Sequence, residues 1–418
     1  MTELLDRSVG CLVGAAVGDA LGGATETALP AEIQARYGGW VEGIVAPFYE
    51  NWATGRPLAP YHKGDGHITD DTLLTHALVR VYARKRDHLD AFDVDALLVP
   101  DLIEHVVYIP DMEREAVAFH RLAAAERWLV TRLRHAHADP REAGVGNICN
   151  CGAAMYMAPV GVVNAGDPAG AYAEAADVAG AHQHSFGREA AAVFAAAVAA
   201  AMVPGATIED VISACLELAK DGTGQAIAAV VDAARGYSDW RSAIGPLRRA
   251  VAPFDTVGED YRNPGLGARR PSRLHSIEEL PVALGMLVVS KGDYRGSVLG
   301  AVNYGRDADS TATMAGAIAG ALGGEVPSDW AESVSRASKV DLAAPGHILA
   351  SVAAEVFERD HARFTQRSRR FGDLLSADTF APALPAGGAA FAGGAASAGE
   401  GGPSSGSDAG AGNVGVGA

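Results

Sequence analysis

Apolar residues recur every three to four positions along most of this chain, and the runs stop at Gly, Pro or short polar clusters. That period belongs to one face of an α-helix rather than to a strand. It predicts helices over Leu4 to Ala20, Asp71 to Lys85, Met112 to Arg134, Ala169 to Ala179 and Gly187 to Met202. Five more are expected over Ile208 to Lys220, Gly224 to Arg235, Ser276 to Val289, Thr311 to Leu322 and His347 to Arg363. No stretch alternates as a strand ladder would; Val106 to Ile109 reads either as one short strand or as the end of a helix. Loops rich in Gly and Pro fall at Tyr37 to His67, Asp139 to Cys151 and Phe254 to Arg273. Loops of that length in a compact body are usually functional or disordered. No fixed-period repeat is visible, which argues against a solenoid.

Composition turns this pattern into a large, tightly packed, all-α globule. Hydrophobic residues make up 49% of the chain but aromatic ones only 6%, so small side chains must supply much of the core. Alanine has the best helix propensity, and small residues let helices approach closely. The pattern ends near Ala381, after which Ala, Gly, Ser and Pro dominate. Such a segment buries too little surface to offset the entropy of ordering it. The expected organisation is one domain over residues 1–375 and a disordered tail over residues 376–418.

Charge and cysteine usage exclude several functions. The formal net charge is -17, and from Ser376 onward the chain carries only Asp378, Glu400 and Asp408 with no Lys or Arg. The acidity therefore sits on the body, which would repel a phosphate backbone, so no nucleic-acid partner is expected. Val9 to Ala24 is apolar, but Glu3, Asp6 and Arg7 give no positive flank and Asp19 interrupts it. It reads as a buried first helix and not a signal segment. No run of about 18 apolar residues marks a membrane span. Cys11, Cys149, Cys151 and Cys215 provide no second pair for a zinc tetrad, and read as packing residues of a reducing cytoplasm.

Two acidic segments carry the candidate chemistry. Gly66-His67-Ile68-Thr69-Asp70-Asp71-Thr72 runs straight into an apolar helix, and Gly305-Arg306-Asp307-Ala308-Asp309-Ser310 runs into a small-residue helix. Thr, Ser and Asp are ordinary N-cap residues, and acids suit a first helical turn. Capping needs one oxygen, however, whereas each segment supplies two carboxylates plus hydroxyls. If the two helix starts converge, four carboxylates meet, and like charges that close need a cation. An all-oxygen set suits magnesium, manganese or calcium rather than zinc.

The order and identity of these motifs resemble the ADP-ribosylglycohydrolase family, which includes dinitrogenase-reductase-activating glycohydrolase and crystallin-like relatives. The opening motif is matched by Gly18-Asp19-Ala20-Leu21-Gly22 with Glu26, the T-D-D-T motif by Thr69 to Thr72, and the D-x-D-[ST] motif by Asp307 to Ser310. The resemblance implies an all-α, orthogonal helical bundle with a binuclear magnesium centre, manganese being an alternative. It implies metal ligands Thr69, Asp70, Asp71, Asp307, Asp309 and Ser310, with Glu26, Asp70 and Asp309 in catalytic roles. It implies hydrolysis of an N- or O-glycosidic bond at a ribosyl anomeric carbon. An ADP-ribosylated protein or a smaller ribosyl compound would be the substrate.

The resemblance also assigns substrate contacts. Gly146, Asn147, Ile148, Cys149, Cys151 and Gly152 correspond to a glycine-rich loop whose backbone N–H groups can cradle a diphosphate. His182 matches a histidine lining the ligand cleft. Three positions depart from the family pattern: Cys151 replaces an asparagine, Tyr156 an arginine and Arg306 a glycine. Arg306 would pair with a ligand phosphate or carboxylate, or neutralise Asp307. Two other classes stay open: a non-catalytic ADP-ribose-binding or crystallin-like protein, and a magnesium enzyme acting on another diphosphate such as a prenyl diphosphate.

Overall fold

The computed structural model describes residues 2–52, 61–255 and 277–376. It is almost entirely helical. The N-terminal half holds α1 (Glu3–Gly23), α2 (Pro30–Tyr37), α3 (Asp70–Lys85), α4 (Ala91–Asp93), α5 (Val99–Glu104) and α6 (Ala124–Val130). Next come α7 (Ala158–Val163), α8 (Pro168–Gly180), α9 (Ser185–Ala201), α10 (Ile208–Leu218), α11 (Asp221–Ala234) and α12 (Trp240–Val251). The remaining helices are α13 (Glu279–Val289), α14 (Tyr294–Tyr304), α15 (Ala308–Ala321), α16 (Ser328–Ser338) and α17 (Ala344–Ser376). Residues 1–363 form one compact unit, and a second unit runs from Phe364. The expected loop from Phe254 to Arg273 lies outside the described residues beyond Asp255, as does the expected tail beyond Ser376. No helix among the described residues is long and apolar enough to cross a membrane.

The site is positioned by the crossing of α1 and α15. Gly10, Gly14, Gly18 and Gly22 repeat every four residues on one face of α1. Ala308, Ala312, Gly316 and Gly320 do the same on α15, and the two rows meet antiparallel. A Cβ on Gly18 would overlap the Ala312 carbonyl oxygen, and one on Gly22 the Ala308 oxygen. The helices therefore touch backbone to backbone, which small residues alone permit. The C-terminal turn of α1, with Asp19, is thereby held against the first turn of α15, with Asp309.

The expected helix from Met112 to Arg134 is broken in the structure. Glu113 takes a left-handed conformation (φ 54°), and Arg114–Val117 pairs antiparallel with Val106–Ile109 as β2 and β1. Val106 to Ile109 is thus a strand. Helical propensity is overridden here, where buried Asp111 is tied across the hairpin to Arg121 by an ion pair. α2, α12, α14 and α16 fall where no helix was expected from periodicity. Each is short and carries Gly, Pro or Ser within or beside it.

Gly18→Ala should destabilise the fold by about 1–3 kcal/mol, the usual cost of forcing a methyl group into a close-packed contact. Gly245→Ala, inside α12 where a Cβ meets only the far end of Arg249 at 3.5 Å, should be neutral or stabilising. Thermal denaturation of the two variants checks this contrast.

Candidate metal centre

Neither acidic segment behaves as a simple cap. Thr69 occupies the N-cap of α3 and Asp307 the N-cap of α15, yet neither side chain makes a capping hydrogen bond. Asp19 performs that task for α3 from another helix. Its carboxylate accepts from the Thr69 N–H at 2.9 Å, the Thr69 hydroxyl at 2.7 Å, the Thr72 N–H at 3.1 Å and the Thr72 hydroxyl. The carboxylates of the T-D-D-T segment are therefore released from backbone duty. Asp19 is the residue that makes this possible.

The two acidic segments converge. Oxygens of Asp19, Asp71 and Asp309 lie within 4.8 Å of one another, all buried. Asp71 Oδ1 has no hydrogen-bond partner among the described residues. Burial pushes the Asp309 carboxyl up to about 8, with Lys63 opposing and Asp307 adding to the shift. Burial pushes Asp19 up to about 6 despite its hydrogen bonds from Thr72 and Thr69. Asp71 is raised well above its usual range by burial and then by Asp309. An orphaned buried carboxylate oxygen among repelling neighbours is what a cation would satisfy, so the residues fit an oxygen-bound metal. Ser310 sits beside the cluster with its N–H on Asp309 Oδ1 at 3.1 Å.

A second group, Cys151, Glu279 and Asp307, also comes within 4.8 Å. The Cys151 thiol donates to Asp307 Oδ2 at 3.0 Å and lies 3.2 Å from the Ser310 hydroxyl. Burial, followed by the Asp307 charge, holds the thiol protonated well above its usual range. Asp70 is placed differently, 3.0 Å from the guanidinium of Arg121.

These groups open onto a cavity of about 250 Å³. Glu26, Tyr61, Lys63, Arg121, Glu126 and Asn150 share its wall with Asp70, Asp71, Asp307, Asp309 and Ser310. Cys151, Gly152 and Met155 complete the loop side. Lys63 forms ion pairs with Glu26 and with Asp309, the latter at 3.3 Å. Glu26 thus lines the cavity, already paired with Lys63.

Several expected substrate contacts lie elsewhere. Gly146, Asn147, Ile148 and Cys149 do not line this cavity. The Asn147 amide instead donates to the carbonyls of Ala125 at 2.9 Å and His182 at 2.8 Å, holding the loop to α6. Ile148 is 40% exposed, and the Cys149 thiol faces the His184 carbonyl at 3.6 Å. His182 is wholly buried behind the wall, bonded to Tyr156 at 3.1 Å and the Ala125 carbonyl at 3.3 Å. Burial lowers its pKa to about 4, so it stays neutral. The Arg306 guanidinium is buried, 2.7 Å from Glu278 and 3.4 Å from Asp255, and does not line the cavity. Arg306 itself has a left-handed backbone conformation (φ 57°).

Sequence reasoning missed Lys63, Arg121, Glu126 and Asn150. Asn150 lies within the glycine-rich loop, whereas Lys63, Arg121 and Glu126 belong to no local motif, and only the fold brings the four to one cavity. Glu126 and Arg121 carried one available signal: charged residues inside a segment read as an apolar helix.

Fold and site together define an all-α protein with a buried carboxylate cluster that could hold a cation. A family model for ADP-ribosylglycohydrolases matches residues 1–364, and the chain belongs to that family. A solved structure titled "ADP-ribosylglycohydrolase-related protein complex" resembles it at 20% identity with a TM-score of 0.55, covering 85% of this chain and 99% of that one. That likeness shows the fold. No curated protein matches the chain.

Raised carboxyl pKa values make a prediction about pH. The folded state holds protons on Asp309 up to about 8 where an ordinary Asp releases them near 3.8. This contribution to stability is complete below pH 4 and is lost as pH rises through 8. In a chelator, the melting temperature should fall between pH 5 and pH 8. Magnesium should restore more of it at pH 8 than at pH 5, because a cation binds the ionised cluster. A flat profile in chelator would remove the proposed crowding of carboxylates.

Proposed function

We propose that this chain is a magnesium-dependent hydrolase that cleaves an N- or O-glycosidic bond at the anomeric carbon of a ribosyl group. The substrate class is an ADP-ribosylated protein or a smaller ribosyl compound. The observation that carries this reading is the buried Asp19–Asp71–Asp309 cluster, with its orphaned Asp71 oxygen, opening on a cavity. Family membership supports the same class of bond.

Asp71, Asp309, Asp70, Asp307, Ser310 and Thr69 are the residues that would hold the ions, manganese being a substitute. When bound, such ions grip sugar hydroxyls and make water a better nucleophile near neutral pH. The protein does the remaining work. At about 250 Å³ the cavity is smaller than a usual drug-sized site, so it encloses a sugar and its linkage rather than a whole dinucleotide. Glu26, partly exposed at the cavity and fixed by Lys63, is placed to accept a proton from attacking water. Arg121, locked to Asp70 and Asp111, keeps Asp70 from rotating. The Cys151 thiol on Asp307 fixes that carboxylate in the same way.

Asp309→Ala and Asp70→Ala should each abolish magnesium-dependent release of ribosyl sugar from a panel of ADP-ribosylated proteins and ribosides. Calorimetry should show lost or weakened magnesium binding in both. Wild-type rates in either variant would rule out the centre.

A further inference from the structure

The helix that follows Ala123 carries a carboxyl group for which the metal centre has no use. Glu126 is 4% exposed yet lines the cavity. Its surroundings are built around it. Asn150 accepts from the Gly152 N–H at 3.1 Å and from Gln183 Nε2 at 2.7 Å, both on Oδ1. That fixes the amide so that Nδ2 donates to Glu126 Oε1 at 3.2 Å. Gly152 is required for this contact, because a Cβ there would overlap Glu126 Oε1. The loop–α6 bonds from Asn147, and the Trp128 indole N–H donating to Ala143 at 2.9 Å, hold the helix itself in place. After all of these interactions, Glu126 Oε2 has no hydrogen-bond partner among the described residues.

We infer that Glu126 is the proton donor to the leaving group of the glycosidic bond, contacting the departing heteroatom through Oε2. This rests on the hydrolase reading above and adds the half of the reaction that carboxylates holding cations cannot supply. The bond between the anomeric carbon and the leaving nitrogen or oxygen breaks, and its electron pair stays with that heteroatom. The heteroatom takes the proton of the Glu126 carboxyl. Water gives its hydroxyl to the anomeric carbon and its remaining proton to Glu26 and then solvent, from which Glu126 is reprotonated. One water is consumed, and two O–H or N–H products leave.

The electrostatic setting agrees with the geometry. Burial, then the charge of Asp70, raises the Glu126 carboxyl to about 7, while Asn150 and Arg121 pull the other way. Tyr156 faces it from the loop and stays neutral, its own pKa raised chiefly by burial. A carboxyl of that strength is protonated in a useful fraction at neutral pH and gives up its proton readily.

The test uses full-length protein with magnesium and pairs of substrates sharing one ribosyl group but differing in leaving group. One member has an activated leaving group such as 4-nitrophenol, which departs without protonation; the other has an unactivated alcohol or amine. Glu126→Gln keeps the size of the side chain and the bond from Asn150. It should lower kcat on the unactivated substrate by about 100-fold or more, the usual range for general acid catalysis. On the activated substrate it should change kcat less than threefold. The fall in wild-type kcat/KM above about pH 7 on the unactivated substrate should disappear in the variant. Calorimetric magnesium binding should be unchanged, which separates this role from damage to the centre. Equal losses on both substrates, no loss on either, or a retained alkaline limb would each overturn the assignment. Wild-type protein inactive on every substrate would instead remove the hydrolase reading, and this role with it.

Discussion

The site depends on one packing constraint: α1 and α15 cross with no side chains between them. Gly10, Gly14, Gly18 and Gly22 face Ala308, Ala312, Gly316 and Gly320 so closely that added methyl groups would collide with carbonyl oxygens. Dispersion contacts along two long helices stabilise this arrangement. They also hold two acidic helix ends together that would otherwise repel. Asp19 and Asp309 become neighbours because their helices have no other way to pack, and Asp71 joins them because Asp19 clamps the start of α3. Packing energy is thus used to concentrate charge.

That concentration sets the chemistry of the cavity. Its wall carries Glu26, Asp70, Asp71, Glu126, Asp307 and Asp309 against Lys63 and Arg121. The excess of acids has to be met by cations or by protons, and the structure distributes the two remedies. Protons suit the isolated Glu126, raised by burial and capped by one amide. Cations suit the crowded group around Asp71, whose free oxygen no donor among the described residues reaches. A wall that divided its acids in this way could attack a glycosidic carbon and protonate its leaving group at the same pH.

The departures from the family pattern look less disruptive in three dimensions than in the sequence. Arg306 has its own buried partner in Glu278, so a positive charge enters the neighbourhood without entering the cavity. Tyr156 spends its hydroxyl on His182, behind the wall. Cys151 alone faces the centre, where its thiol donates to Asp307 and touches Ser310. An outer carboxylate is thereby held by a neutral donor, and the charge of the ligand set is kept.

The all-α class was legible because helical periodicity repeats over hundreds of residues, and the two acidic segments because their residues sit in short, dense motifs. Helix α3 could be placed within one residue from the same pattern, and the helix after Asp307 within three at its start and one at its end. Local sequence failed where a residue's role depends on distant partners. The run from Met112 to Arg134 has helical composition, yet a hairpin forms where Asp111 and Arg121 pair across it. The Asn147 side chain fastens the glycine-rich loop to α6, a partner that its local sequence does not announce. Glu126 stands among ordinary helix formers, and its charge within a segment read as an apolar helix is the one local sign of it. Periodicity and motif spacing are short-range properties that one segment carries alone. Burial, an unpartnered oxygen and a raised pKa are properties of an enclosed space, which exists only after packing has brought distant segments together.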